Sequence, residues 1–439
     1  MSVLSGDLQF PTGIALITRW QAGDHVAQNE LRALFDAVIE GQYDAVFQEP
    51  APTNSVCVTT SLHLTTLTLL NQLYGLTSTD FYKGDPQRYV RTTLMTQRLL
   101  GIRKLTLHWP VYAFGAECLG QVTIYPEKHP PSVNSEKPLV DKTNWHELDT
   151  PDLENDVFRV MEDMLACFSD LTNLEPVAHL PAPYSLAADI FGLEALILAM
   201  VKESDFVDEF LDHLTEQVFA PWCEHVSRVL PKVWIELSDA SGSPIFIGPR
   251  LFMKTAARPV HRLINNYPWG NRIFVANYRG DTPLKTSGGG QRHPRNKADG
   301  LKTNNTPSDT DALTELIDFK LSLCPEFIIK LDADNAPVSF YVDHAIQRGK
   351  PLYLGIGTTR INRNSIVDHE AAERELGNLA AAYAQAIKTV SEALADNGYS
   401  RSDLVWPGDV YIEDINAESD FDLVKTILES VAIHGMVAH

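Results

Sequence analysis

Two hydrophobic patterns alternate along this chain. Short, continuous, β-branched apolar runs recur, and each ends in polar or charged residues. Eight stand out: SVCVTTSLH (55–63), KLTLHW (104–109), EPVAHLP (175–181), VWIELSD (233–239), RIFVANYRGD (272–281), FIIKLDAD (327–334), PLYLGIGTTR (351–360) and DVYIEDIN (409–416). Continuous apolar runs of this length suit strands buried on both faces, as in a parallel sheet. Between them lie stretches with apolar residues at helical spacing. PDLENDVFRVMEDMLACFSDL (151–171) opens with Pro and acidic residues, which favour a helix N-terminus. FVDEFLDHLTEQVFAPWCEHVSRVL (206–230) keeps an apolar stripe, with one Pro that should kink or interrupt it. The longest helical pattern, 368–398, stops at Asn397-Gly398.

Repeated β-then-α units predict a (β/α)8 TIM barrel over residues 55–439. Their spacing is uneven, so the repeat is one of structure rather than of sequence. Residues 1–54 read as an N-terminal helical extension, helical around Glu30–Glu40, that packs on the barrel.

Composition narrows the function. The 439 residues are 44% hydrophobic and 21% charged, with a net charge of −21. That charge argues against non-specific binding to nucleic acid or to an anionic membrane. No apolar run approaches spanning length, and the start lacks the basic-then-apolar pattern of a secretion signal, so a cytoplasmic protein is expected. The five cysteines are scattered without C-x-x-C, as expected of reduced thiols.

A barrel gathers its polar strand ends at one mouth. Glu236 and Asp239 end one run as a carboxylate pair suited to acid–base work. Arg279 in NYRGD suits a substrate carboxylate, or alternatively an ion pair with Asp281 or Asp239. His63, His108 and His179 are strand-end imidazoles suited to proton transfer or metal binding. Asp332 and Asp334 favour a capping role at the helix near Pro337. Glu413 and Asp414 end the last run. The Gly-rich, basic stretch TSGGGQRHPRNKADGLKTNN lies within 282–310, after the fifth run. It reads as a mobile lid, with Arg292 and Arg295 facing an anionic substrate. It has no G-x-G-x-x-G phosphate fingerprint.

The stretches VCVTTSLHLTTLTLLNQLYGLTSTDFYKGDPQRYV (56–90), YAFGAECLG (112–120), LPAPYSLAADIFGLEALILAM (180–200), LSDASGSPIFIGPRLF (237–252), FVANYRGDTP (274–283) and DINAESDFDLVKTI (414–427) follow one another in an order that resembles the uroporphyrinogen decarboxylase superfamily, which includes corrinoid-linked methyltransferases. The resemblance implies a barrel and a homodimer, and His63, Tyr184, Asp189, Asn277 and Tyr278 are expected to contact the substrate. Val111 stands where the porphyrin decarboxylases carry an essential Asp, Asp189 where they carry a Tyr, and Glu413 near their C-terminal His. Uroporphyrinogen is therefore not the expected substrate. In the methyltransferase branch a His-x-Cys pair binds zinc, and here that pair becomes Asn277 and Arg279. Arginine cannot ligate a cation, so a zinc site would need other ligands from His63, His108, His179, Glu236, Asp239 and Glu413.

The expected activity is decarboxylation of a small carboxylated aromatic or heterocyclic compound without a cofactor. Glu236, Asp239, Arg279, His108 and Glu413 would form its catalytic set. The alternatives are methyl transfer with a corrinoid protein as partner and a non-classical metal, or a non-catalytic binding barrel.

Overall fold

Seven of the eight apolar runs pair as parallel strands. The computed structural model describes residues 12–281 and 309–437, apart from 333 and 335. In chain order the strands are β1 (Val58–Ser61), β2 (Thr123–Ile124), β3 (Ser132–Val133), β4 (Val177–Pro181), β5 (Trp234–Ser238), β6 (Ile273–Phe274), β7 (Ile328–Lys330), β8 (Leu352–Ile356) and β9 (Val410–Asp414). Strands β2 and β3 form a small antiparallel hairpin. The others make two parallel sheets, ordered β1-β9-β8-β7 and β4-β5-β6. The described backbone therefore forms a mixed α/β fold with a parallel core, and no closed eight-stranded ring is present among its ladders.

The missing member is KLTLHW. Its burial alternates like a strand, with Leu105, Leu107 and Trp109 buried and Lys104, Thr106 and His108 half-buried. It makes no ladder, because a buried side chain occupies its backbone. The Gln97 amide donates to the Thr106 carbonyl at 2.7 Å, and its oxygen accepts from the Thr106 N–H at 2.9 Å. Side chains then tie the segment to both flanking strands. Thr106 Oγ1 donates to the Thr60 carbonyl at 3.1 Å, and Trp109 Nε1 donates to the His179 carbonyl at 3.1 Å. Pattern alone could not separate a paired strand from an extended segment satisfied in this way.

Helices cover the sheets. The 151–171 pattern becomes Asp156–Thr172, capped by the Asn155 side chain. The 206–230 pattern becomes Ser204–Leu214 and Ala220–Val229, separated by a π-turn at Thr215–Phe219. Pro221 explains the interruption, since it lacks an N–H to return to the preceding turn. The N-terminal helices Thr12–Gln21 and His25–Ile39 pack on the outer helices Pro86–Leu99 and Phe421–His434. One run overlooked in the sequence, Pro183–Lys202, is long and apolar enough to cross a membrane, and 56% of its most apolar window is buried inside the molecule.

The strand N-termini form an aromatic floor of Trp234, Phe274, Phe327 and Tyr353, packed against Trp406. There Lys104 Nζ donates to Tyr353 Oη and Asp409 Oδ2, both at 3.1 Å, and Arg401 donates to Asp409 Oδ1 at 3.0 Å. This buried network closes the end opposite the polar strand tips.

Candidate functional site

The strand pleat sets the site in layers. His179 and Glu236 are register partners on β4 and β5, two residues above Val177 and Trp234. Their side chains meet, with His179 Nδ1 3.2 Å from Glu236 Oε2. The His108 ring stacks on His179 with centroids 4.6 Å apart, and Trp109 packs edge-on against the same imidazole. His63 opens the helix after β1, and its Nδ1 is hydrogen-bonded to Tyr82 Oη at 2.7 Å. Burial, with His179 nearby, pushes His63 down to about 3. Burial likewise drives His108 well below the ordinary imidazole range, reinforced by His179 and His63. Both rings are neutral near pH 7. Each can accept or donate a hydrogen bond, but neither is an imidazolium acid there.

Charged pairs also link the strand ends. Arg279, just beyond β6, pairs with Glu413 on β9. Arg360, after β8, contacts both oxygens of Asp332 at 3.0 Å. Gly357 lies between these pairs: a Cβ there would sit 2.9 Å from Asp332 Oδ2 and 3.5 Å from Glu413 Oε2. Glycine therefore lets the two carboxylates approach the same point of the β8 end. Beside Arg279, Asp414 is raised to about 6 by burial, with Ser61 and Arg279 opposing the shift.

A second cluster surrounds Asp239. Its Oδ1 accepts from Ser185 Oγ at 2.7 Å and from the Gly242 N–H at 2.9 Å. Its own N–H donates to Asn277 Oδ1 at 3.0 Å, which ties the β5 end to the β6 end. Burial raises the carboxyl to about 7. Tyr184 and Tyr278 are buried beside it, within electrostatic reach. Asp189 lies in the π-turn Ala188–Gly192 and is also raised to about 7 by burial. The Tyr112 hydroxyl accepts from the Ala240 N–H at 3.1 Å and feels both Asp239 and Asp189.

The Asp281 and Asp334 readings change. Asp281 is fully buried and pairs with Lys320 and Tyr341, not with Arg279. The helix Val338–Arg348 has no side-chain cap, so neither Asp332, which pairs with Arg360, nor Asp334 caps it. Asp334 instead accepts from the N–H groups of Gly280, Asp281 and Leu331 at 2.7, 2.9 and 3.0 Å, and so fastens the β6 tail to the β7 end. Arg292, Arg295 and the lid segment lie within 282–308, outside the described residues.

Among the described residues, no three His, Cys, Asp or Glu side chains are gathered as a metal-ligand set. The zinc of the methyltransferase branch does not fit the residues at its usual strand either, where Arg279 carries its own positive charge. Sequence reasoning overlooked Tyr82, Tyr112, Ser185 and Tyr411. None sits in a strand-end motif, except that Tyr411, whose hydroxyl donates to the Glu413 carbonyl at 3.2 Å, lies in the DVYIEDIN run and could have been found from its period-two relation to Glu413.

In fold, the chain is similar to a methyltransferase from Methanosarcina mazei. The two share 11% identity, with a TM-score of 0.57, over 90% of this chain and 96% of the other. No family model and no curated protein matches the sequence. At this identity the likeness carries the fold alone.

Proposed function

We propose that the chain is a small-molecule enzyme whose parallel strands act as a (β/α)8 barrel, and that it transfers a methyl group from a small carboxylated substrate. The observation that carries this reading is a cation beside a carboxyl whose proton affinity is raised by burial, to about 6, at the strand tips: Arg279 and Asp414. The fold likeness to a methyltransferase favours methyl transfer over other chemistry at such a site. Arg279 is 39% exposed at its side chain, so its guanidinium keeps a free edge beyond Glu413. That edge would orient the substrate carboxylate. The bond from methyl to its oxygen or nitrogen breaks as a bond to an external nucleophile forms. Asp414 supplies the proton where the leaving atom needs one. The acceptor would come from outside the chain, as a corrinoid does in the methyltransferase branch. A cytoplasmic homodimer remains part of this reading, by resemblance.

Decarboxylation is the second reading. It is favoured by the same pair, because Arg279 would hold the departing carboxylate and Asp414 would protonate the carbon left behind. One experiment separates the two. The purified protein is incubated with 4-methoxybenzoate carrying 13C in both its methyl and carboxyl groups, with cob(I)alamin as methyl acceptor. Methylcobalamin formation supports methyl transfer, and labelled carbon dioxide supports decarboxylation. Binding without either product would leave only a binding barrel.

A further inference from the structure

The helix Leu193–Lys202, which ends the apolar run Pro183–Lys202, hides one face and leaves the other bare. Leu196, Ala199 and Met200 are buried. Leu193, Ile197, Leu198 and Val201 are exposed by 44%, 36%, 49% and 72%. Their spacing of i, i+4, i+5 and i+8 puts all four on one side, opposite the buried three. Within the fold this helix packs chiefly on Ser204–Leu214 and on the π-turn Ala188–Gly192 before it. Elsewhere among the described residues, exposed large apolar side chains come singly or in pairs along the chain. Scattered ones are ordinary, whereas a contiguous apolar face marks an interaction surface.

The charges at its two ends say what covers it. Glu194 lies in the first turn and Lys202 in the last, and both are exposed. They stand about 12 Å apart along the axis, too far to pair with each other. Glu203, next in the chain, is already paired with Lys142, which leaves Lys202 without a carboxylate among the described residues. An identical helix laid antiparallel across this face brings Glu194 of each copy to the other copy's Lys202, with Ile197 and Leu198 at the centre. We propose that the helix Leu193–Lys202 is the self-complementary contact of a two-fold dimer, packed antiparallel on a second copy of this chain. A lipid surface fits less well. Membrane-surface helices set Lys and Arg beside their apolar face, whereas this one is flanked by Glu194, Glu203 and Asp205 in a chain of net charge −21. The contact rests on the homodimer proposed above by resemblance and gives it a surface; it is independent of the chemistry proposed there.

The test is analytical ultracentrifugation of the full chain over a range of concentrations. The wild type should form a dimer. Leu198→Glu sets a charge at the centre of the contact and should weaken the dimer roughly tenfold or more. Its Tm should hold, because Leu198 faces solvent within one copy. Glu194→Lys and Lys202→Glu should each weaken the dimer about threefold. The two together should restore it, since exchanging both charges keeps antiparallel neighbours opposite in sign. These charge variants decide the matter if Leu198→Glu does not fold. A dimer that none of the variants weakens would overturn the assignment and leave a homodimer through another face. A double charge variant weaker than either single one would refute the antiparallel contact. A wild type that stays monomeric throughout would overturn both the contact and the homodimer. Binding of the wild type to phosphatidylcholine vesicles, lost in Leu198→Glu, would put a bilayer on this face and overturn the assignment as well.

Discussion

Arg279 and Glu413 join strands that are not neighbours. Arg279 follows β6 in the three-stranded sheet, and Glu413 lies on β9 in the four-stranded sheet. Their ion pair links two sheets that share no backbone ladder. Glu413 is only 12% exposed at its side chain, so its charge relies on this partner.

Replacing Arg279 by Ala should act both on substrate use and on stability. Loss of a charge-assisted hydrogen bond is worth about 1.5–3 kcal/mol, or roughly tenfold to hundredfold in kcat/KM. The Tm should fall as well, because Glu413, only 12% exposed at its side chain, loses its cation. Steady-state kinetics beside a melting curve would check this. Unchanged kinetics would remove Arg279 from the site.

Buried Asp189 should make stability depend on pH in a definite direction. Its folded pKa, about 7, lies above the unfolded value of 3.8. The folded state then binds more protons between those values. Its contribution is fully present below about pH 4 and is lost as pH rises through about 7, at up to about 1.4 kcal/mol per pH unit. Asp189→Asn should match the wild type in urea unfolding at pH 4 and exceed it at pH 7.5. A variant less stable than the wild type at both pH values would contradict the assignment.

The His63 ring should remain neutral across the working range, with burial and His179 holding it down to about 3. NMR titration should show no protonation of His63 between pH 8 and pH 5. Tyr82→Phe removes the partner of Nδ1 and should cost about 1–3 kcal/mol, the penalty for an unsatisfied buried group.

Lys320 neutralises a fully buried Asp281. Lys320→Met leaves that carboxyl without its cation and should cost about 3–5 kcal/mol. Chemical denaturation would measure it. A loss below about 1 kcal/mol would mean that Tyr341 alone satisfies the group.

Gln97 stands in for a neighbouring strand at Thr106. Gln97→Leu orphans two backbone groups and should destabilise by about 2–4 kcal/mol. It should also lower activity by releasing the segment that carries His108. Retained stability would show that the segment can pair elsewhere.

Strand positions were legible because burial on both faces forces continuous apolar runs. Seven of the eight became parallel strands, although β6 kept only Ile273–Phe274 of its longer run. The Pro221 interruption and the helix of the 151–171 pattern were legible for similarly local reasons, although that helix begins at Asp156 after its Asn155 cap rather than at Pro151. The eighth run, KLTLHW, misled because Gln97, from another element, competed for its backbone. Pattern carries no information about such a partner.

The candidate site was legible as a set of residue types at strand tips and no further. Sequence supplied Arg279, Glu413, Asp239 and the three histidines. Tertiary packing chose Glu413 rather than Asp281 as the partner of Arg279. It turned Asp334 into a clasp for Gly280 and Asp281, and it left Asp239 and Asp189 without a countercharge. Local sequence fixes which groups a strand tip offers, because side-chain alternation and backbone propensity act over a few residues. Which charges meet, and which stay unpaired, depends on groups far apart in the chain. Only the folded arrangement of the two sheets decides that.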